Sequence, residues 1–241
     1  MSRKSLLVSV LLLVLLTGGG LGGSYLLLRH EPNFYSLAEV PPGPERQKQS
    51  DECVSQATTL LQQKMDCEAD WGLNFTQEQI NRWLAEGFVA SNMDQFLPTG
   101  VSDPRIVFLP WRILLAFRYG EEQLSTVVSV QVKVWLPKRE RNMVAVEIES
   151  LRAGAIPLSW KLLQEHLTEE ARHQNIDIQW YRKDGNPVAI LRFQADKREP
   201  TIQFQKLRIE QGTIHIQGRS SDPEVRKIIS AIALPQSAPT E

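Results

Sequence analysis

Any nucleophile or metal site in this chain of 241 residues would have to come from four histidines, two cysteines and a scatter of serines. His30, His166, His173 and His215 show no metal-ligand spacing. His166 and His173, seven apart, share a face of a predicted helix, but no neighbouring carboxylate motif completes a zinc site. They read as solvated polar positions. Ser125, Ser129 and Ser159 stand outside the strand-turn-helix context that sharpens a catalytic serine. The glycine-rich run Gly18–Gly20, Gly22, Gly23 lies inside an apolar stretch and so is no phosphate-cradling loop. The sequence therefore predicts no catalytic residue, no metal and no cofactor, and a protein that is not an enzyme.

The two cysteines, Cys53 and Cys67, are a candidate disulfide. An unbroken helix between them would hold their α-carbons about 21 Å apart, against a limit of roughly 7 Å, so a bond requires a turn in between. An oxidising compartment favours the bond and a continuous helix forbids it.

That compartment is suggested by the N-terminus. Leu6 to Leu28 carry no charge, and at about 1.5 Å per residue they span roughly 34 Å, enough to cross a bilayer core. Arg3 and Lys4 precede the run, whereas Arg29 is followed by Glu31, which favours a cytoplasmic N-terminus and an extracytoplasmic main domain on a single-pass anchor. A cleaved signal peptide with Leu6–Leu16 as its apolar core is the competing reading; the longer span favours a retained anchor. No cysteine near residue 20 offers lipoprotein attachment. Gly18/Gly22 and Gly19/Gly23 form small-xxx-small pairs of the kind that let helices approach. The net charge of −1 argues against a nucleic-acid partner, since phosphate contacts need a basic surplus.

Pro32, Pro41, Pro42 and Pro44 mark a spacer over residues 31–50, and Val54, Ala57, Leu60 and Leu61 a helix over 50–64. In "FTQEQINRWL", Thr76 and Gln79 form a capping box and Phe75 staples against Ile80, predicting a helix that continues through Trp83, Leu84 and Phe88. From Pro104 the period becomes two. Ile113, Leu115, Phe117 and Tyr119, then Val128, Val130, Val132 and Val134, then Val144, Val146 and Ile148 alternate with more polar residues, as in antiparallel strands with one wet face. "LRAGAIPLSWKLL" reads as a strand stopped by Gly154 and a helix led by Pro157, with Leu158, Leu162, Leu163 and Leu167 on one side and Trp160 beside them. Beyond it come strands around an Asp184-Gly185 hairpin, a bulge near Gln205, a Gln211-Gly212 turn and a last strand. Val225, Ile228, Ile229 and Ile232 stripe a short terminal helix. Arg112, Arg118, Lys138, Arg139 and Arg141 read as a solvated strand face and a charged hairpin tip in preference to a headgroup site.

The expected fold class is α+β: an N-terminal transmembrane helix, then a long curved antiparallel sheet whose concave surface packs on amphipathic helices. The expected divisions are an anchor at 1–30, a juxtamembrane spacer and helix at 31–70, a sheet-and-helix domain at 71–220, and a short helix with a frayed tail at 221–241. The "FTQEQINRWL" helix, the paired long strands and "VEIESLRAGAIPLSWKLLQEHL" behind a single apolar span resemble the YpmS-like membrane-anchored extracytoplasmic proteins and, more distantly, the tubular lipid-binding (TULIP) superfamily. The resemblance covers about residues 70–218 and rests on periodicity and turns. It implies a curved sheet wrapped on a helix around a lipid groove. The ligand-facing residues would be Val130, Val132 and Val134 from the sheet and Leu158, Leu162 and Leu163 from the helix, with Trp135 and Trp160 at the mouth. The alternative is a fully packed module of the cell envelope that binds a protein partner through edge strands or the terminal helix.

Overall fold

A computed structural model of the chain describes residues 23–41, 43, 69–87, 99–121, 125–138, 142–173, 175–194 and 202–220. Cys53, Cys67, the predicted helix at 50–64 and the terminal helix lie outside them. Residues 23–28 are helical. Among the described residues no helix is long and apolar enough to cross a membrane, and the rest of the Leu6–Leu28 run lies outside them.

The fold is α+β in the coarse sense, mostly antiparallel sheet with few helices. In chain order it comprises α1 (Asn33–Leu37), β1 (Ala69–Thr76), α2 (Gln77–Arg82) with a π-helical turn at Trp83–Gly87, β2 (Val101–Leu109), β3 (Arg112–Tyr119), β4 (Thr126–Trp135), β5 (Met143–Ala153), β6 (Ile156–Pro157), α3 (Lys161–His173), β7 (Ile176–Lys183), β8 (Asn186–Phe193), β9 (Ile202–Glu210) and β10 (Thr213–Ser220). The strands form two sheets where the alternation predicted one. The large sheet runs β2-β3-β4-β5-β8-β7 with β6 pairing β5, and a three-stranded sheet runs β1-β10-β9. β1 is a strand that the sequence reading left out.

Register assigns the faces, because residues two apart share one and directly paired residues share one. One face of the large sheet carries Ile113, Val132, Val134, Ile148, Val146, Ala189, Leu191 and Ile178. The other carries Arg112, Leu114, Ala116, Val127, Ser129, Gln131 and Arg152. The small sheet packs on the apolar face at one end, where Phe108, Ile209 and Ile214 form a core joined by Phe75, Ile80, Ile113, Val134 and Leu207. Phe75 and Ile80 thus share one cluster, as the staple predicts. Phe204 extends the contact, with its ring 5.2 Å from Phe193 of the large sheet and 6.0 Å from Trp71.

The local chemistry is legible at several joints. The capping box is present in both directions, Gln79 N–H donating to Thr76 Oγ1 at 3.1 Å and Thr76 N–H to Gln79 Oε1 at 2.9 Å. Asp184 and Gly185 both have positive φ, 52° and 89°, as the two-residue hairpin requires. Between β10 and β9 the register passes from Gln217↔Lys206 to Gly218↔Phe204, so Gln205 is the extra residue of the expected bulge.

The "GAIP" joint differs from expectation. Gly154, at φ 57°, turns the chain back sharply, Ile156–Pro157 pairs with β5, and Leu158 N–H donates to Leu151 C=O at 2.8 Å. The helix starts at Lys161. Proline's fixed φ suits an extended residue as well as a first helical turn, and here the strand takes it. α3 packs on the edge strand β7, where Trp180 Nε1–H donates to Thr168 Oγ1 at 2.9 Å. Leu167 is exposed.

The outer edge of β2 is closed by side chains. Asn81 donates from its amide nitrogen to Ile106 C=O at 2.8 Å and accepts from Ile106 N–H at 2.8 Å, and Gln77 Oε1 accepts from Phe108 N–H at 3.0 Å. One helical turn rises about 5.4 Å and two strand residues about 6.7 Å. Positions four apart on α2 therefore reach positions two apart on β2. Asn81 is buried, and Asn81→Ala strands a backbone donor and an acceptor together. We expect a loss of about 2 kcal/mol in urea unfolding of the full chain; an unchanged midpoint would show that water serves this edge equally well.

Candidate functional site

Two surfaces of the large sheet carry the candidate residues. On the apolar face, Val130 pairs Leu115 and Leu151 across the sheet, and Val132 pairs Ile113 and Ile148. Val128, Val130, Val132 and Phe117 are half-buried, and Leu115 is 37% exposed. The small sheet covers this face at the Ile113/Val134 end and α3 lies along the β7 edge. Among the described residues, the aliphatic row between them is left open toward the end where β3 finishes and β4 begins. Val130 and Val132 are therefore where the sequence placed them.

Val134 is not a lining residue: it packs beneath the small sheet against the Phe108 cluster. Trp135, one residue on, points to the opposite face, because a strand alternates; there Lys183 Nζ lies 5.1 Å from its ring centroid. Trp160 does join the apolar side, tilted against Trp180 at 5.7 Å with Arg182 over it at 5.6 Å. Leu158 is half-buried beside β5. The backbone of α3 carries Leu162 and Leu163, whose side chains lie outside the described residues.

The polar face holds what the sequence reading missed. Residues 31–40, read as a spacer, dock on it. Tyr35 has 0% exposure and forms a core with Ala116 and Val127, against which Phe34 packs. Its hydroxyl donates to Asp103, at 2.9 Å to the backbone oxygen and 3.1 Å to the carboxylate. Arg105 stacks over its ring at 4.1 Å, donates to Tyr35 C=O at 2.8 Å and pairs with Asp103 at 2.8 Å. Burial, and next the Asp103 charge, push the Tyr35 phenol well above its usual range. Asp103 reaches this position because β2 bulges between Ser102 and Arg105, with Asp103 at φ 54°; a bulge turns a side chain out of the alternation.

The preceding helix is held too. Ala155 N–H donates to Leu27 C=O at 2.8 Å, Thr126 Oγ1–H to Leu28 C=O at 2.5 Å, and Arg118 pairs with Glu31 at 2.7 Å. A Cβ on Gly154 would run into the carbonyls of Leu27 and Leu28. The glycine that stops the strand is also the seat of the N-terminal helix.

Arg112 is exposed on this face and Arg118 half-buried, and both are ion-paired. Arg112 Nε lies 2.6 Å from Glu149, which also accepts from Gln131 at 2.7 Å. The hydrogen bond from Arg112 holds the Glu149 carboxyl below its usual range. Between the docked segment and the sheet lies a cavity of about 310 Å³. Among the described residues no group of histidine, cysteine and carboxylate side chains is arranged to hold a metal. No protein-family model, curated protein or solved structure matches the chain.

Proposed function

We propose that the chain is a membrane-tethered, non-enzymatic extracytoplasmic domain that holds an acyl chain or similar apolar ligand against the apolar face of the large sheet. The observation that carries the reading is the row of exposed Leu115 with half-buried Val128, Val130 and Val132, open among the described residues at the sheet end on which the N-terminal helix is seated by Gly154, Thr126 and Ala155. An apolar ligand leaving a bilayer would meet that end first. Each methylene buried there contributes about 0.8 kcal/mol, so a few methylenes suffice for weak, reversible holding. Binding needs no polar catalytic group, in keeping with the aliphatic lining. The tether, the compartment and the lipid groove form one reading with the TULIP resemblance.

The test is native mass spectrometry of the full chain, extracted from its host membrane in mild detergent and stripped of detergent in the gas phase. A bound lipid is expected, and Leu115→Asp should abolish it with the melting temperature within a few degrees of the parent, because a position this exposed tolerates a charge. A bare chain from every membrane tried overturns the reading. The packed envelope module is favoured by the burial of Ile148, Leu151 and Ala153 on the same face; it predicts a bare chain, and a Leu115→Asp protein that unfolds.

A further inference from the structure

The cavity on the polar face has its own chemistry. Its sheet wall is formed by Ser129, Gln131, Ser150 and Arg152, and its outer wall by His30 and Phe34 of the docked segment. Ser129 pairs directly with Arg152 across β4 and β5, and Gln131 with Ser150, so the four form a rectangle on one face. Ser129 is only 7% exposed. Arg105 is paired with Asp103, Arg112 with Glu149 and Arg118 with Glu31. Two cations of the face, Lys133 and Arg152, have no ion pair among the described residues, and of these it is Arg152, an exposed residue, that lines the cavity. The hydroxyls of Ser129 and Ser150 have no hydrogen-bond partner among the described residues. The nearby carboxylate, Glu149, is already engaged by Arg112 and Gln131.

We propose that this cavity binds a phosphoester. A guanidinium with no ion pair among the described residues matches two phosphate oxygens in a planar fork, and the two serine hydroxyls stand beside it to donate to the third. The apolar part of the wall, Phe34 with Leu114, suits the carbon side of an ester over bare inorganic phosphate. The size fits a headgroup-sized molecule: the cavity lies at the lower end of the roughly 300–1,000 Å³ usual for small-ligand pockets. The phosphoester has two sources, a phospholipid headgroup or a soluble sugar or glycerol phosphate. The site occupies the face opposite the aliphatic row and stands whether or not that row holds a ligand.

The experiment is calorimetric titration of the full chain in nonionic micelles with glycerol phosphate, with glycerol as the uncharged control, and with phosphatidylglycerol against diacylglycerol in the same micelles. Binding of glycerol phosphate but not glycerol assigns a phosphoester site that a soluble ligand can fill. Binding of phosphatidylglycerol alone assigns a headgroup site that takes its ligand from the membrane. In either case Arg152→Gln should weaken binding about tenfold or more, the loss of a charge-assisted pair, with Arg152→Lys in between and both melting as the parent does. Leu115→Asp should leave glycerol phosphate affinity unchanged, which separates this site from the apolar groove. Equal affinity in Arg152→Gln, or no phosphate-dependent heat with either ligand, overturns the proposal.

Discussion

Replacing Gly154 by alanine is expected to lower stability by about 4 kcal/mol, through a left-handed backbone and a steric conflict that add. The φ of 57° already disfavours a side chain, and the new Cβ would press on the carbonyls of Leu27 and Leu28. Those are backbone atoms, held by Ala155 and Thr126, and cannot rotate away as a side-chain end would. Relief requires lifting the N-terminal helix off the sheet. Gly185→Ala is the matched control, since Gly185 has φ 89° and nothing within 4 Å of the added atom; it should cost only the backbone strain, about 1–2 kcal/mol. Thermal melting of the full chain should show a fall of about 10 °C for Gly154→Ala at roughly 2–4 °C per kcal/mol, together with faster tryptic cleavage after Arg29. Equal losses in the two variants would mean that the helix is not seated on Gly154.

The second large effect lies at Tyr35. Truncation to alanine removes a fully buried ring and vacates the space under Arg105, for which about 3–5 kcal/mol is expected. Tyr35→Phe keeps the ring and loses only the donor to Asp103, a loss of about 1 kcal/mol. Asp103 is partly exposed, so water can take over. The pair of variants separates packing from hydrogen bonding in equilibrium urea unfolding. A pH dependence goes with it. The neutral phenol is the form the fold prefers, so this stabilisation is complete below about pH 10, the unfolded value, and is lost as pH rises toward the higher folded value. Tyr35→Phe should flatten that alkaline decline. A decline of the same slope in Tyr35→Phe would assign it to other groups.

Most of the large sheet could be read from the chain because period-two alternation survives wherever one face is buried and the other wet. That held for β3, β4 and the first part of β5, and for the hairpin at Asp184-Gly185. β1 carries only a weak local signal although Trp71, Leu73 and Phe75 alternate, because its partner β10 is far along the chain and it runs straight into the capped helix start at Thr76. Local signals say nothing about which strands share a sheet; hence one sheet was expected and two exist. Alternation put Val130 and Val132 on the apolar face, where they lie, whereas Trp160 stood off the apolar stripes and reaches that side through its contact with Trp180. Trp135 failed by a single residue, which in a strand is a change of face. Tyr35 had no pattern to be found by: one buried side chain in a proline-flanked segment has no period, and its acceptor is set by a bulge at Asp103 that alternation cannot foresee. Ser129 and Ser150 alternate like a wet strand face, and only the docked segment, placed by Tyr35, makes that face a cavity beside the exposed Arg152.

The lock that α2 places on β2 also governs how copies of this protein meet. With Asn81 filling both outward backbone groups at Ile106, and Gln77 and Gly212 the N–H and C=O of Phe108, the end of the large sheet at which a strand could still be added is, among the described residues, β7. A sheet open at both ends can grow without limit into a fibre, whereas one open at a single end can join only a like end by a two-fold axis, and that union consumes both. Self-association by extension of this sheet through its described edges therefore stops at a pair.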